Sequence, residues 1–209
     1  ESGVTFHKID WGIDTGDIIF QKTFKLDKNE TARTLYFKYI SVGTEIIKKV
    51  IDYLCAGFSL PSAIGQNPSN ATYYSKKAID YDNLEIDLNK TAQEIDAQIR
   101  AVHFREYQLP IVYQKKINRT HITDCRSFRK PGTILWEDES RMVLASIDYN
   151  IVLYIDCFME ILRLCEQGNL EQLKRIPRLS TYMHQKDAHG WTPLMIATYY
   201  NHYDIAQFL

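Results

Sequence analysis

The 209-residue chain is 45% hydrophobic, 24% charged and 12% aromatic, an ordinary globular composition with enough apolar side chains for a core. Its 25 Lys and Arg stand against 26 Asp and Glu, a formal charge of −1, so no global field draws it to nucleic acid or a membrane. No apolar run nears the roughly 18 residues of a membrane span, no secretory pattern opens the chain, and neither glycine-rich phosphate loop, G-x-G-x-x-G or G-x-x-x-x-G-K-[ST], occurs.

Residues 4–10 alternate in polarity and predict a strand, as do residues 18–24. Between them Trp11-Gly12-Ile13-Asp14-Thr15-Gly16-Asp17 predicts the long tip of a hairpin, with two glycines to bring backbone close to a ligand. From Thr31 to Ala56 the apolar spacing turns helical, through Leu35, Tyr39, Val42, Ile46, Val50 and Leu54, and Gly57 is the expected left-handed stop. Residues 59–77 read as a surface loop. An acidic patch follows (Asp80, Asp82, Glu85, Asp87). Thr91-Ala92-Gln93-Glu94 then has the form of a capping box, opening a helix that runs to about His103 with Leu88, Ala92, Ile95, Ile99 and Val102 on one face. From Ile111 to Asp156 short strand-like runs begin at Ile111, Gly132, Met142 and Ile151, and predict a small antiparallel β unit.

The tail changes period again. Phe158 to Ile176 is predicted helical, and an offset of 33 residues carries Gly168-Asn169-Leu170-Glu171 onto Asn201-His202-Tyr203-Asp204. A repeat of that length marks stacked helix pairs. The segment from Asp187 to Ala197, with Thr192-Pro193-Leu194 at its centre, resembles the ankyrin consensus, although Met195 replaces the usual His. Thr192 is expected to cap a helix, Pro193 to occupy its first position, and Leu194 and Ala197 to face the neighbouring helix. Met159, Leu162 and Leu164 are expected to pack against Leu194, Ile196 and Ala197 or against the β unit. Cys55, Cys125, Cys157 and Cys165 form no C-x-x-C pair and read as reduced thiols. The six histidines are scattered, so no metal site is expected. The chain opens on Glu1-Ser2-Gly3 directly ahead of a strand and closes on Phe208-Leu209 inside a helical pattern, and is expected to be a piece of a longer protein.

The sharpest chemistry lies at the hairpin tip, where Asp10, Asp14 and Asp17 cluster. Turn aspartates commonly cap their own backbone. Asp14-Thr15-Gly16 is also the tripeptide of aspartic proteases, but such a site needs a second carboxylate to share a proton, and no second D-[TS]-G exists here. The whole run from Gly3 to Ile19, Gly-Val-Thr-Phe-His-Lys-Ile-Asp-Trp-Gly-Ile-Asp-Thr-Gly-Asp-Ile-Ile, resembles the closing part of the catalytic domain of folate-dependent formyltransferases. Ile86-Asp87-Leu88, the helix ending Gln98-Ile99-Arg100-Ala101-Val102, Tyr107-Gln108-Leu109-Pro110 and Pro131-Gly132-Thr133-Ile134-Leu135 extend the resemblance over roughly residues 1–156.

The resemblance implies an α/β architecture. Residues 1–88 are the C-terminal remainder of a Rossmann-like catalytic domain, 89–110 a connecting helix and junction, 111–156 a small β-rich segment and 157–209 an α-helical ankyrin-repeat segment. It implies 10-formyltetrahydrofolate as co-substrate, no metal, and Asp14 as the family's catalytic carboxylate, working with an Asn and a His of an upstream N-x-H motif. That motif is not in the chain, since neither His7 nor His103 follows an Asn by two residues, so the chain alone is expected to be inactive. In that chemistry an amine attacks the formyl carbon, Asn and His hydrogen-bond the oxyanion, and the Asp orients the imidazole and a water and relays a proton to the leaving nitrogen. Ile9, Asp10, Trp11, Gly12 and Ile13 would present backbone to the pterin. Trp11 stands where the family often has an acid, and a surface aromatic closing the loop is the alternative for it.

Three acceptors compete: methionyl-tRNA, a purine precursor and an amino sugar on a nucleotide. A tRNA enzyme wants a basic surface, and residues 113–131 hold Lys115, Lys116, Arg119, Arg126, Arg129 and Lys130 against Asp124, though a solvated hairpin face explains that equally. The short β unit and the ankyrin tail instead resemble sugar N-formyltransferases acting on dTDP-linked 3- or 4-amino-dideoxyhexoses for O-antigen and related surface polysaccharides, which implies a bacterial cytoplasmic enzyme, no nucleic-acid or membrane partner, and a homodimer through the β unit. Phe104, Arg105 and Tyr107 would hold the nucleotide, an aromatic on thymine and Arg on pyrophosphate; Phe104 and Tyr107 could equally plug the core. Tyr73, Tyr74, Lys76 and Lys77 form a similar cluster. The rival class is an interaction protein working through its ankyrin repeats, against which a single recognisable repeat is a small surface.

Overall fold

The computed structural model describes residues 1–75, 78–81, 83–187 and 189–209, Asn70 by its backbone alone. Lys76 and Lys77 of the candidate cluster, Asp82 of the acidic patch and Ala188 of the ankyrin-like turn lie outside the described residues. The chain divides into two compact units, Glu1–Asp82 and Asn83–Leu209.

The first unit is a hairpin and a helix. Strand β1 (Ser2–His7) pairs antiparallel with β2 (Ile18–Phe24), with an irregularity between Phe6 and His7 that opens the loop. Helix α1 (Ala32–Cys55) starts at Thr31, whose hydroxyl accepts from the Thr34 N–H while the Thr34 hydroxyl accepts from the Thr31 N–H. It ends before Gly57, which takes the left-handed conformation expected of it (φ 72°). The predicted stripe packs on the hairpin through Tyr39, which meets Phe24 edge-on at 5.4 Å. Ile46 and Val50 are the buried positions of that helix. The last turn departs from the expectation: Leu54 is exposed and Tyr53 turns in, its ring 5.9 Å from Phe20. Residues 59–67 run back as a loop, pinned where Ile64 bridges Ile18. A 3-10 turn follows at Pro68–Asn70.

The second unit contains two cores. Helix α2 (Ala92–Val102) carries the predicted capping box: the Thr91 hydroxyl accepts from the Glu94 N–H and the Glu94 carboxylate accepts from the Thr91 N–H at 2.9 Å. Its face of Ala92, Ile95 and Ile99, flanked by Leu88 and Val102, covers a five-stranded antiparallel sheet. Its strands are β3 (Ile111–Val112), β4 (Lys115–Arg126), β5 (Ile134–Glu137), β6 (Arg141–Leu144) and β7 (Tyr149–Ile155), in the order β3-β4-β7-β6-β5. Met142, Leu144, Ile151 and Leu153 point into this core, as period-two alternation requires. The longest strand, β4, is one that apolar patterning does not announce, and it occupies the basic stretch otherwise readable as a solvated hairpin face.

The tail is helical but broken. Helices α3 (Phe158–Gln167) and α4 (Leu170–Leu173) are parted by Gly168 at φ 72°, so the helical stretch expected over 158–176 is a pair of helices that ends at Leu173. Helices α5 (Pro193–Tyr199) and α6 (Tyr203–Phe208) repeat the pattern, with Asn201 at φ 61° in Gly168's place. The 33-residue register is therefore a structural one. Asp187 accepts from the N–H groups of His189 and Trp191, Gly190 closes the turn at φ 84°, and the Thr192 hydroxyl accepts from the Met195 N–H. Phe158, Ile161, Leu162, Leu164, Cys165, Leu173, Ala197 and Ile205 form the core. Two expected contributors do not join it: Met159 and Leu194 are exposed, and Pro193 and Ala197 are the buried positions of α5. The four cysteines are free thiols, and burial pushes that of Cys165 up to about 11.

Candidate active site

The loop between β1 and β2 closes on itself. The Lys8 N–H donates to the Asp17 carbonyl at 2.9 Å, and the Lys8 ammonium reaches the Asp17 carboxylate at 3.3 Å. Gly16 is dictated by this closure, because a Cβ there would lie 1.9 Å from the Lys8 carbonyl oxygen. Inside the loop, Asp10 Oδ1 accepts from the Thr15 hydroxyl at 2.6 Å and from the Gly12 N–H at 3.0 Å, and these bonds hold its carboxyl below the usual range.

The three aspartates thus have three different roles. Asp10 is folded into the loop, Asp17 is paired with Lys8, and Asp14 points outward. Asp14 sits in the left-handed region (φ 56°), uncommon outside glycine, and its side chain is 86% exposed. Its nearest charge partner is His7, whose Nε2 lies 3.6 Å from Oδ1. His7 Nδ1 is 2.7 Å from the Lys8 carbonyl, so it must carry a proton, and the ring faces Asp14 with its other nitrogen. Ile9, Trp11 and Ile13 are 96%, 106% and 90% exposed. Trp11 therefore closes nothing and, with its two neighbours, offers apolar surface beside an exposed carboxylate.

Phe104, Arg105 and Tyr107 belong to the second unit. The backbone folds tightly there, the Gln108 N–H donating to the Phe104 carbonyl at 2.7 Å, and the rings of Phe104 and Tyr107 meet edge-on at 4.8 Å. Tyr107 is largely open to solvent. Arg105 is not: its side chain is 10% exposed, it pairs with Asp156 at 3% exposure, and its guanidinium lies 5.3 Å from the Phe158 ring and 5.7 Å from that of Tyr182. That is the environment of a side chain tying the sheet to the tail. A cleft of about 360 Å³ nearby is lined by Arg119, Arg141, Arg178 and Tyr154, among others; Arg119 and Arg178 lie 3.9 and 5.3 Å from the Tyr154 ring. Of the second aromatic cluster, Tyr73 and Tyr74 are exposed.

Comparison with known proteins gives this geometry a context. The N-formyltransferase from Helicobacter canadensis, in complex with folinic acid and dTDP-3-aminofucose, superposes with a TM-score of 0.60 and 36% identity, covering 74% of this chain and 55% of that one. The sugar 3N-formyl transferase WlaRD, in the presence of dTDP and 5-N-formyl-THF, superposes at 0.59 and 39%, covering 73% and 54%. Methionyl-tRNA formyltransferase from Legionella pneumophila (strain Paris) is 31% identical over 157 residues, 71% of this chain and 46% of that protein. Over about three quarters of its length this chain is similar to formyltransferases. An ankyrin-repeat family model matches residues 189–209, where the Asp187 turn and the Thr192 cap lead into α5. The chain spans about half the length of these formyltransferase relatives.

Two features of the site escape sequence reasoning. Gln66, some fifty residues from the loop, donates from its carboxamide nitrogen to the Asp14 and Gly16 carbonyls. His7, passed over because it lacks the N-x-H spacing, stands beside Asp14. Nothing local to residues 64–66 signals the first contact. The second could have been found from strand alternation, which brings a residue at the end of β1 alongside the loop it feeds. Among the described residues no helix is long and apolar enough to cross a membrane.

Proposed function

We propose that these residues are the part of a sugar N-formyltransferase that bears its catalytic aspartate, and that the full-length protein moves a formyl group from 10-formyltetrahydrofolate to the amine of a dTDP-linked amino-dideoxyhexose. The observation that carries this is the match, at 36% and 39% identity over about three quarters of the chain, to two formyltransferases whose structures contain dTDP or a dTDP-amino sugar and a formylated folate. The ankyrin segment that follows the β unit agrees with it.

The loop fits such a donor. The exposed side chains of Ile9, Trp11 and Ile13 give a flat ring something to lie on, and Asp14 stands among them with its carboxylate uncommitted to the loop's own backbone. The donor supplies an electrophilic formyl carbon. Asp14 orients an imidazole and a water beside it and carries the proton from the attacking amine toward the departing nitrogen, while an Asn and a His from outside these 209 residues hydrogen-bond the developing oxyanion.

A methionyl-tRNA acceptor is the second reading, favoured by relatives of that name at about 31% identity. Against it, the basic stretch is partly spent within the sheet. Lys115 pairs with Glu137, Arg119 lies over Tyr154, and Arg126 is 5.6 Å from the Tyr149 ring. The test offers both acceptors to the full-length protein with 10-formyltetrahydrofolate. Formylation of the dTDP-amino sugar with charged tRNA untouched supports the proposal. Formylation of tRNA, with affinity falling steeply as salt rises, moves the assignment to the second reading.

A further inference from the structure

We propose that Gln66 is a positioning residue for Asp14, a role that rests on the formyltransferase reading above. One side-chain amide nitrogen donates to two backbone carbonyls of the catalytic loop, that of Asp14 at 2.9 Å and that of Gly16 at 2.7 Å. Both partners are acceptors only, so the orientation of the carboxamide is fixed by chemistry: the nitrogen faces the loop and each of its two N–H groups has one carbonyl.

The geometry explains why such a clamp is useful. Asp14 lies in the left-handed region, where a non-glycine backbone is held only when its surroundings over-determine it. Asp10 grips the loop from within, through Gly12 and Thr15, and reaches neither peptide plane that sets the direction of the Asp14 side chain. Gln66 grips one of those planes, through the Asp14 carbonyl, together with the Gly16 carbonyl two residues on, and leaves the Asp14 carboxylate untouched. Its own position is secured independently. Ile64 exchanges two backbone hydrogen bonds with Ile18 at 2.8 Å each, which anchors the segment beside the start of β2, and Asn67 accepts from the Ser69 N–H to open the 3-10 turn beyond. The segment 64–67 is thus a strap, and Gln66 is the side chain it delivers to the loop. Asp14 supplies the chemistry; Gln66 sets where its carboxylate is.

The test uses Gln66→Ala, which removes the donors, and Gln66→Glu, which keeps shape but turns an acceptor toward the two carbonyls. In the full-length protein both should lower kcat by about 10- to 100-fold, the scale expected when a reacting group is displaced by a fraction of an ångström to an ångström, with KM for both substrates changed less than about threefold. The Gln66→Glu deficit should shrink below about pH 5, where the introduced carboxyl is protonated and donates one hydrogen bond, while that of Gln66→Ala should not. In the 209-residue chain, amide hydrogen exchange at residues 12–17 should accelerate in both variants without change at α1. Wild-type kcat in both variants, or unchanged exchange in the loop, overturns the positioning role. If wild type transfers no formyl group to either acceptor, the formyltransferase reading falls instead, and loop exchange alone decides whether Gln66 holds Asp14.

Discussion

The Asp148 carboxylate accepts a hydrogen bond from the Ala92 N–H at 2.8 Å, across 56 residues of sequence. The sheet thereby caps the first turn of the helix that covers it, beside the helix's own capping box. The same carboxylate accepts from the Ser146 hydroxyl and the Tyr149 N–H, each at 2.8 Å, and these bonds, that from Ala92 foremost, hold it below the usual aspartate range.

A depressed folded-state pKa stabilises the fold at every pH above the unfolded-state value and loses that contribution as pH falls through the folded value. Asp148→Ala should therefore cost the second unit about 1–3 kcal/mol at neutral pH, the scale of leaving buried donors unpaired. The gap between wild type and variant should hold down to about pH 5 and close below about pH 4. Denaturant melts at several pH values measure it, and a gap that widens in acid would contradict the assignment.

Gly168 faces His202 so closely that a Cβ on the glycine would lie 2.6 Å from the imidazole, and the His202 Nε2 donates to the Glu166 carbonyl at 2.9 Å. Gly168→Ala meets both a left-handed backbone and this ring, and should destabilise the helical tail by about 1–3 kcal/mol. Adding His202→Ala should relieve the clash and leave the backbone strain, so the two costs should not add. Additive melting shifts would show that the ring does not press on the glycine.

Arg105 and Asp156 form a buried pair that sequence reasoning assigned in part to pyrophosphate binding. Arg105→Ala should cost about 3–5 kcal/mol, because it strands a buried carboxylate, and the pair Arg105→Met with Asp156→Leu should recover most of it. If Arg105 served the acceptor instead, the alanine variant would melt like wild type and show only a raised acceptor KM.

Local signals in the sequence were strong where one segment decides its own state. The Thr91 capping box, the Gly57 stop, the α2 face and the Gly168–Asn201 register could all be read from spacing. Strand β4 could not. Its Lys, Arg, Asn and Thr residues look like a solvated loop until Arg119 and Arg126 find Tyr154 and Tyr149 on the neighbouring strand, and such pairs exist only after the sheet forms. The exposure of Met159 and Leu194 was illegible for a related reason, since the helical period says that a stripe is apolar and not how wide a neighbour covers it. At the site, Asp14 stood out by its motif. Its separation from Asp10 and Asp17 needed the hydrogen bonds that employ those two elsewhere.

The central claim is that Asp14 alone of the three loop aspartates carries formyl transfer. The most direct measurement is turnover of 10-formyltetrahydrofolate and a dTDP-amino-dideoxyhexose by the full-length protein bearing Asp14→Asn, an isostere without charge, beside Asp17→Asn. The account predicts a fall in kcat of at least about 10²-fold for Asp14→Asn, the lower range for a lost proton-transfer group, with folding and folate affinity retained, and a fall of less than about tenfold for Asp17→Asn. Near-wild-type turnover in Asp14→Asn, with activity lost in Asp17→Asn instead, would contradict it.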